Sequence, residues 1–356
     1  MMREEEEGRL MTNFFSRPAM TRLLFQGVLF VFFVTTTPTL SSAHEIAILI
    51  SADFPPYHQA AQGFTSHLPT ETTFTTYQLK SDLLEGREMA KRVRASSPDL
   101  VLVVGLKAAL VAKLEIIDIP TVFCLVLNPE DYGLPASNMV GIQLRVSSQD
   151  QLQTLLAIVP SAKTVGLLFD PDKSHSFVDQ ARKEAQAVNL SLVTQEVSQT
   201  SELPDTLRNL LPQIDVLWLF RDSTVITASS IPFLLETALE FRKPVFGFSS
   251  GLAQHGATAS ISVNYDEVGH QAADLAKDIL RTGSLSPTGP KLFFPHQTRL
   301  ALNLGTSRFL GLTPNPQIVR LADSVFGGSS AFAQLNQSSK TTPSLNHSDQ
   351  GTFLIP

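Results

Sequence analysis

The feature that most constrains this chain is a repeated alternation of short apolar runs with longer amphipathic segments. EIAILIS (45–51) and LVLVVG (100–105) are apolar at almost every position. Such runs are typical of strands buried on both faces of a parallel sheet. The segments between the runs carry apolar residues at helical spacing, for example Ala60 and Phe64. Strands that alternate with helices of this length predict parallel sheets with right-handed crossovers.

The alternation occurs in two successive sets. The first set ends with IPTVFCLVL (119–127), and Ser81 is a candidate cap for one of its helices. The second set begins after VGIQLRVSS (140–148) and ends with the amphipathic segment Asp266–Arg281. Each set contains four or five strand–helix units, and 356 residues suffice for two domains of ordinary size. The sequence therefore predicts an α/β protein with two lobes.

Composition and motifs exclude several classes of function. The chain is globular in composition, with 43% hydrophobic and 17% charged residues, and its formal charge is -6. Without a basic block, nucleic acid is not expected as a partner. The single cysteine, Cys124, lies in an apolar run and is predicted to be a buried structural thiol. No Walker A, GxGxxG or HExxH motif occurs, so neither a nucleotide cofactor nor a metal is predicted.

The N-terminal region has the order of a secretory signal. The apolar run Leu23–Val34 follows two arginines and precedes Ser41-Ser42-Ala43. We expect cleavage after Ala43, a mature chain that begins at His44, and a periplasmic location. An uncleaved membrane anchor is the alternative, although the run is short for a membrane span. Because the first ten residues are acidic, we also expect translation to begin at Met11 or Met20.

Several stretches, taken in order, resemble the substrate-binding proteins of ABC transporters with the type I periplasmic-binding fold. The resemblance extends over Glu45–Phe326 and is greatest to the subfamily that includes binders of aromatic amino acids. The sequence departs from the family pattern at RDST (221–224) and at Lys107. The stretches that carry the resemblance are SADFPPYHQAAQGF (51–64), LVLNPEDYGL (125–134), TVGLLFDPDKSHS (164–176), DVLWLFRDSTVITA (215–228), the long stretch 243–283 and LALNLGTSRFLGL (300–312).

The resemblance implies two Rossmann-like lobes joined by a three-strand hinge. The N-lobe would comprise 44–144 and 264–284, and the C-lobe 145–263 and 285–326. Residues 327–356 are rich in Ser, Thr, Gln and Asn and are predicted to be a disordered tail. The family implies a binding protein, not an enzyme, that takes a small polar ligand, with an amino acid favoured. Its partner would be the subunits of an ABC permease or, alternatively, a membrane sensor.

Candidate binding residues follow from the rule that open parallel sheets bind ligands beyond the carboxyl ends of their strands. The residues that come directly after the predicted strands, or lie at a crossover, are Ser51, Ala52, Asp53, Tyr57, Gly105, Leu106, Lys107, Asn128, Pro129, Asp170, Arg221, Asp222, Ser223, Thr224, Ser249, Ser250 and Tyr265.

We expect Asp222 to pair with a ligand cation such as an α-amino group. Tyr57 or Tyr265 would cover the apolar part of the ligand, and the stretch 105–107 would receive an anionic end. Each expectation has a structural alternative. Asp222 could cap the segment that follows it, Asp53 could serve a turn, the tyrosines could be core residues, and Lys107 could be a solvated charge.

One motif suggests an enzyme. Gly247–Gly251 matches the G-x-S-x-G pattern of a serine hydrolase with Ser249 as nucleophile. The residues that could supply its catalytic partners are His255, Asp266, His270 and His296. That motif requires a helix directly after the serine. The stretch GLAQHGA, which precedes the next strand, is expected to be too short for such a helix, so the hydrolase is the less favoured alternative.

Overall fold

The structure is a computed structural model that describes residues 44–79, 83–285, 289 and 291–328. The predicted signal segment 1–43, the candidate cap Ser81 and the predicted tail from residue 329 onward lie outside these residues.

The strands of the described residues account for nearly every apolar run of the sequence. In chain order they are β1 (Glu45–Ile50), β2 (Thr73–Gln78), β3 (Leu100–Val104), β4 (Thr121–Val126), β5 (Met139–Gln143), β6 (Thr164–Phe169), β7 (Ser191–Glu196), β8 (Val216–Trp218), β9 (Val245–Gly247), β10 (Ala259–Val263), β11 (Leu292–Phe293), β12 (Thr298–Asn303) and β13 (Ser324–Phe326).

Helices occupy most of the amphipathic segments between these strands. They are α1 (Pro55–Ser66), α2 (Leu83–Ala95), α3 (Leu106–Glu115), α4 (Ser148–Ile158), α5 (Pro171–Ala187), α6 (Leu203–Leu210), α7 (Ser230–Glu240), α8 (Ser250–Gln254), α9 (Tyr265–Thr282), α10 (Leu304–Phe309) and α11 (Pro316–Leu321).

The first sheet is entirely parallel and has the order β11-β5-β4-β3-β1-β2. Its central strands are buried on both faces, as their continuous apolar runs predict. Ile46 and Ile48 of β1 belong to the core under α1 and α9. Ala47 and Leu49 belong to the core on the opposite face, under α2 and α3. The alternation along one strand thus places helices on both sides of the sheet.

Helices α1 and α9 of the first lobe lie in close backbone contact. A Cβ atom added at Gly63 would lie 2.2 Å from the carbonyl oxygen of Asp266. One added at Gly269 would lie 2.2 Å from the carbonyl oxygen of Ala60. Only glycine permits an approach this close. Although nearly 200 residues separate them along the chain, the two helices therefore cover the same face of the first sheet as one unit.

The second sheet has the order β13-β12-β10-β9-β8-β6-β7. Its strands pair in parallel except for β10 and β12, which pair antiparallel from Ala259↔Leu302 to Val263↔Thr298. The prediction of purely parallel sheets is wrong at this pair. The predicted fold class of two α/β lobes built on parallel sheets is confirmed.

The chain passes between the two sheets three times, at residues 144–147, at Asn264 and at 294–297. The boundary predicted at residue 285 for the second lobe is too early. Strand β11 pairs with β5, with Leu292 opposite Gly141, so the chain remains in the first lobe until residue 293. A strand of two residues has no periodicity from which its partner could be predicted.

Within the described residues, no helix combines the length and the apolar character needed to cross a membrane. Cys124 is completely buried in β4, as the sequence predicts. Burial disfavours its thiolate and raises the pKa of the Cys124 thiol to about 12. Its role is therefore structural.

Candidate functional site

The strand tips of the first lobe form a tightly packed polar corner. Ser51 Oγ accepts a hydrogen bond of 2.9 Å from the backbone N–H of Ala108, in the first turn of α3. Gly105 precedes that helix with φ 87°, and a Cβ there would lie 2.7 Å from both Ser51 Oγ and Tyr57 Cζ. Burial raises the pKa of Tyr57, and the nearby Cys124 and Tyr265 act in the same direction. Ser51, Tyr57 and Gly105 thus lie together at this corner and contact each other.

The other candidates of the first lobe lie around this corner. Ala52 and Asp53 are exposed, and Asp53 Oδ1 lies 2.7 Å from Nε2 of His58, in the first turn of α1. Leu106 and Lys107 begin α3, and Lys107 is exposed. These contacts agree with the turn and solvated-charge alternatives for Asp53 and Lys107.

At the strand tips of the second lobe, the carboxylate of Asp222 accepts hydrogen bonds from three backbone N–H groups and one side-chain hydroxyl. Its Oδ2 accepts hydrogen bonds from the backbone N–H of Asp170 at 2.9 Å and from Ser174 Oγ at 2.7 Å. Its Oδ1 accepts from the backbone N–H groups of Thr224 at 2.9 Å and Val225 at 3.1 Å. Four donors use the four lone-pair positions of a carboxylate. The pairing of Asp222 with a ligand cation is therefore not supported, and the capping alternative accounts for this residue.

Asp170 extends the same cluster. Its carboxylate accepts hydrogen bonds from Thr224 Oγ1 at 2.5 Å and from the backbone N–H of Asp172 at 3.0 Å, and Lys173 Nζ lies 3.4 Å away. The Thr224 hydroxyl is the main reason that the pKa of Asp170 is lowered. Ser223, which lies between Asp222 and Thr224 in the chain, is exposed. Asp170 and Asp222 thus fasten α5 to the loop after β8.

Ser249 lies two residues after the end of β9, and α8 begins at the next residue. The expectation that no helix fits after Ser249 is wrong, because the five residues Ser250–Gln254 form one. The geometry of Ser249 nevertheless differs from that of a hydrolase nucleophile, which sits on a sharp, strained turn. Ser249 has φ -147° and ψ 148°, which is relaxed extended backbone.

A pocket lies where the tip of β4, the first crossover and the second sheet meet. Among the predicted residues, Asn128 from the first lobe and Arg221 from the second line it, whereas the Ser51–Tyr57–Gly105 corner does not. The residues around the pocket are Leu127, Asn128, Leu144, Arg145, Val146, Gln151, Ser174, Phe177, Phe220, Arg221, Phe248, Ile261 and Val263.

Aromatic rings and two guanidinium groups dominate this pocket. Phe177 and Phe220 stack with ring centroids 4.4 Å apart and planes 19° apart. The guanidinium of Arg145 lies 5.0 Å from the centroid of Phe177, and that of Arg221 lies 4.8 Å from the centroid of Phe248. Cation–π contacts of this kind hold both arginines against the walls of the pocket.

The positive charge of these arginines is not neutralised by ion pairs. Throughout the described part of the chain, no carboxylate oxygen lies within 4.0 Å of either guanidinium. Arg145 Nη1 donates only a long hydrogen bond of 3.3 Å to Asn128 Oδ1, and its Nε is buried without a partner. Burial lowers the pKa of Arg145 by disfavouring its charged form.

Sequence reasoning identified Arg221 and Asn128 but missed Arg145 and the phenylalanines. Arg145 belongs to the first crossover, which the strand-tip rule does not cover. A signal was nevertheless present: it is the one charged residue in the stretch Val140–Val146. Phe177 lies in the second turn of α5, where the sequence does not distinguish a ligand-contacting phenylalanine from a core residue.

A second polar cluster lies away from this pocket, on α9. Ligand-type atoms of Asp266, Glu267 and His270 lie within 4.8 Å of one another, and the ring of His270 stacks on that of His67 at 4.7 Å. Two carboxylates in the first turn of a helix are also what the helix dipole favours. The cluster is therefore explained by helix electrostatics.

Comparison with solved structures defines the class of the protein. The chain resembles a substrate-binding protein with adhesive properties from Clostridium difficile in its ligand-free, open form, with a TM-score of 0.68, 23% identity, and coverage of 80% of this chain and 100% of the other. It also resembles an ABC domain in complex with L-Trp from Streptococcus pneumonia, with a TM-score of 0.56, 20% identity, and coverage of 80% and 100%. The fold is that of the type I periplasmic binding proteins.

The family follows from the sequence match. The family of ABC transporter substrate-binding proteins matches residues 60–326, and the chain belongs to this family. It is a family of binding proteins, not of enzymes. A curated relative, the tyrosine-binding protein of Clostridioides difficile (strain R20291), is 25% identical over 214 residues. That match spans 58% of this chain and 61% of the relative.

Proposed function

We propose that this protein is an exported solute-binding protein that captures one small polar ligand between its lobes and delivers it to an ABC permease. The observation that carries the proposal is the pocket that Asn128 of the first lobe, Arg145 of the first crossover and Arg221 of the second lobe line together. Rotation of one lobe against the other about the crossovers would open and close such a pocket. A ligand favours the closed form only by its higher affinity for that form.

The ligand we favour is an amino acid with an aromatic side chain. Two relatives support this choice, one named a tyrosine-binding protein and one solved in complex with L-Trp. The stacked rings of Phe177 and Phe220 and the ring of Phe248 offer matching aromatic surface. Within the proposed site, Asn128 and Arg221 contact the ligand directly.

A thermal-shift screen against amino acids, sugars, purines and small anions tests the binding role, because a ligand of the native state raises Tm by mass action. We expect the largest shift with tyrosine or tryptophan. Small-angle scattering should then show a smaller radius of gyration with that solute. A screen without any shift, together with unchanged scattering, would contradict the proposal.

We further propose that the mature protein begins at His44 and works in the periplasm. N-terminal sequencing of protein purified from an exporting bacterium should read HEIAI. Co-purification with permease subunits would support transport, whereas co-purification with a membrane sensor would favour the signalling alternative. An intact N-terminus on membrane-bound protein would contradict cleavage after Ala43.

A further inference from the structure

The polar side-chain groups that remain available in the pocket are mainly hydrogen-bond donors. Ser174 donates its hydroxyl to Asp222, and Gln151 uses its amide to contact Val146 and Trp218. The groups left to meet a ligand are the two guanidiniums and the Asn128 side chain, whose Oδ1 already faces Arg145. None of the lining residues is acidic.

This arrangement lacks what a zwitterionic amino acid needs. An α-ammonium group that enters a partly buried site requires an acceptor, and a carboxylate is the strongest one. The carboxylates that act electrostatically on Arg145, those of Glu130, Glu184 and Asp131, do not line the pocket. Asp170 and Asp222 are occupied within the second lobe. An anion, by contrast, finds two half-buried guanidiniums without ion pairs, one of them with an unpartnered buried Nε.

We propose that the pocket recognises an aromatic acid through its carboxylate, held by Arg145 and Arg221, and that it does not require an α-amino group. This inference rests on the proposed function and changes its ligand class from aromatic amino acids to aryl-substituted carboxylic acids that need no α-amino group, including 2-oxo acids. The ligand carboxylate provides the negative partner that both guanidinium groups lack within the described residues. The aromatic ring lies against Phe177, Phe220 or Phe248.

Three probes that differ only in their charged groups test the inference by calorimetry. They are 3-(4-hydroxyphenyl)propionate, which carries the acid alone, tyrosine, which carries both groups, and tyramine, which carries the amine alone. We expect the propionate to bind at least as tightly as tyrosine, and tyramine to bind at least a hundredfold more weakly. Tight binding of tyrosine with undetectable binding of the propionate overturns the inference and leaves the proposed function intact. Binding of none of the three also overturns it, and the wider solute screen then decides the proposed function separately.

Variants assign the carboxylate contact to the arginines. Arg145→Gln and Arg221→Gln should each weaken binding of the propionate by about tenfold or more, since a hydrogen bond to a charged group contributes about 1.5–3 kcal/mol. Arg320→Gln, an exposed arginine on α11, is the matched control and should leave affinity unchanged. Circular dichroism and Tm confirm that each variant is folded. Unchanged affinity in both folded pocket variants would overturn the assignment.

Discussion

Arg221 and Asp222 are neighbours at the same strand tip, yet they belong to regions of opposite character. The Asp222 cluster is saturated, since four donors of its own lobe occupy one carboxylate. The Arg145–Arg221 pocket is unsaturated, since two guanidiniums lack ion pairs within the described residues. A position at the end of a strand therefore does not by itself make a ligand contact. Unsatisfied charge at that position is the stronger indication, because a folded protein retains it only at a cost in stability.

The largest expected effect comes from breaking the saturated cluster. Asp222→Ala should lower the free energy of unfolding by about 3 kcal/mol, because it leaves buried backbone donors without an acceptor. Urea denaturation measures this loss. Ser223→Ala, at the exposed neighbouring position, should change stability little. If Asp222→Ala left stability unchanged and abolished ligand binding, the comparison would be reversed and Asp222 would be a ligand contact.

A smaller effect is expected where the cluster borders the pocket. Ser174 lines the pocket but donates its hydroxyl to Asp222. Ser174→Ala should therefore cost about 1.5 kcal/mol of stability through the lost charge-assisted hydrogen bond. Ligand affinity, measured by calorimetry, should change by less than about twofold. A large loss of affinity with normal stability would show that Ser174 turns toward the ligand.

Removing a charge from the pocket should change stability in the opposite direction. Arg145→Met should raise the stability of the ligand-free protein by about 1 kcal/mol, because it replaces a half-buried unpaired charge with an apolar side chain. The same variant should bind ligand more weakly. Thermal unfolding without ligand separates the two effects. A destabilised Arg145→Met protein would mean that the guanidinium stabilises the crossover and that its unpaired charge has no cost in the ligand-free protein.

The smallest expected effect is a change in how stability depends on pH. The folded pKa of Asp170 is lowered, chiefly by the Thr224 hydroxyl, so its contribution to stability is present above its unfolded pKa near 4. That contribution is lost as the pH falls through the lower folded pKa. Asp170→Asn should therefore be less stable than the wild type at neutral pH, and the difference should shrink below about pH 4. A difference that stays constant with pH would show that the Asp170 charge has no role.

The fold was predictable because its central strands carry their own signature. Runs such as Leu100–Val104 are apolar at every position, and such runs predicted the central strands of both lobes. The four or five units predicted for each lobe fall short of the six and seven strands of the two sheets. The elements that escaped prediction are short or depend on distant partners. Strand β11 has only two residues. The antiparallel direction of β12 (TRLALN) is set by its pairing with β10, which its own sequence does not show. Helix α8 has five residues, too few for a periodic pattern.

The site was less predictable for a different reason. The strand-tip rule locates positions but does not state which polar groups the fold has already satisfied. It could not show that the Asp222 carboxylate already accepts hydrogen bonds from Asp170 and Ser174, which lie about fifty residues earlier in the chain. Nor could it bring Phe177 of α5 beside Arg145 of the crossover, since that contact depends on how the second lobe packs.

The interlocked pair of α1 and α9 constrains how the polypeptide can acquire its structure. A ribosome releases α1 early, but the helix that covers the same sheet face emerges only after the whole second sheet up to β10. Until then, Ala60 and Phe64 lack their partner surface. The first lobe is therefore completed last, and a nascent chain shorter than about residue 282 keeps an exposed apolar face. Such a delay holds the precursor in a loosely folded form, which suits the export across a membrane that we propose for it.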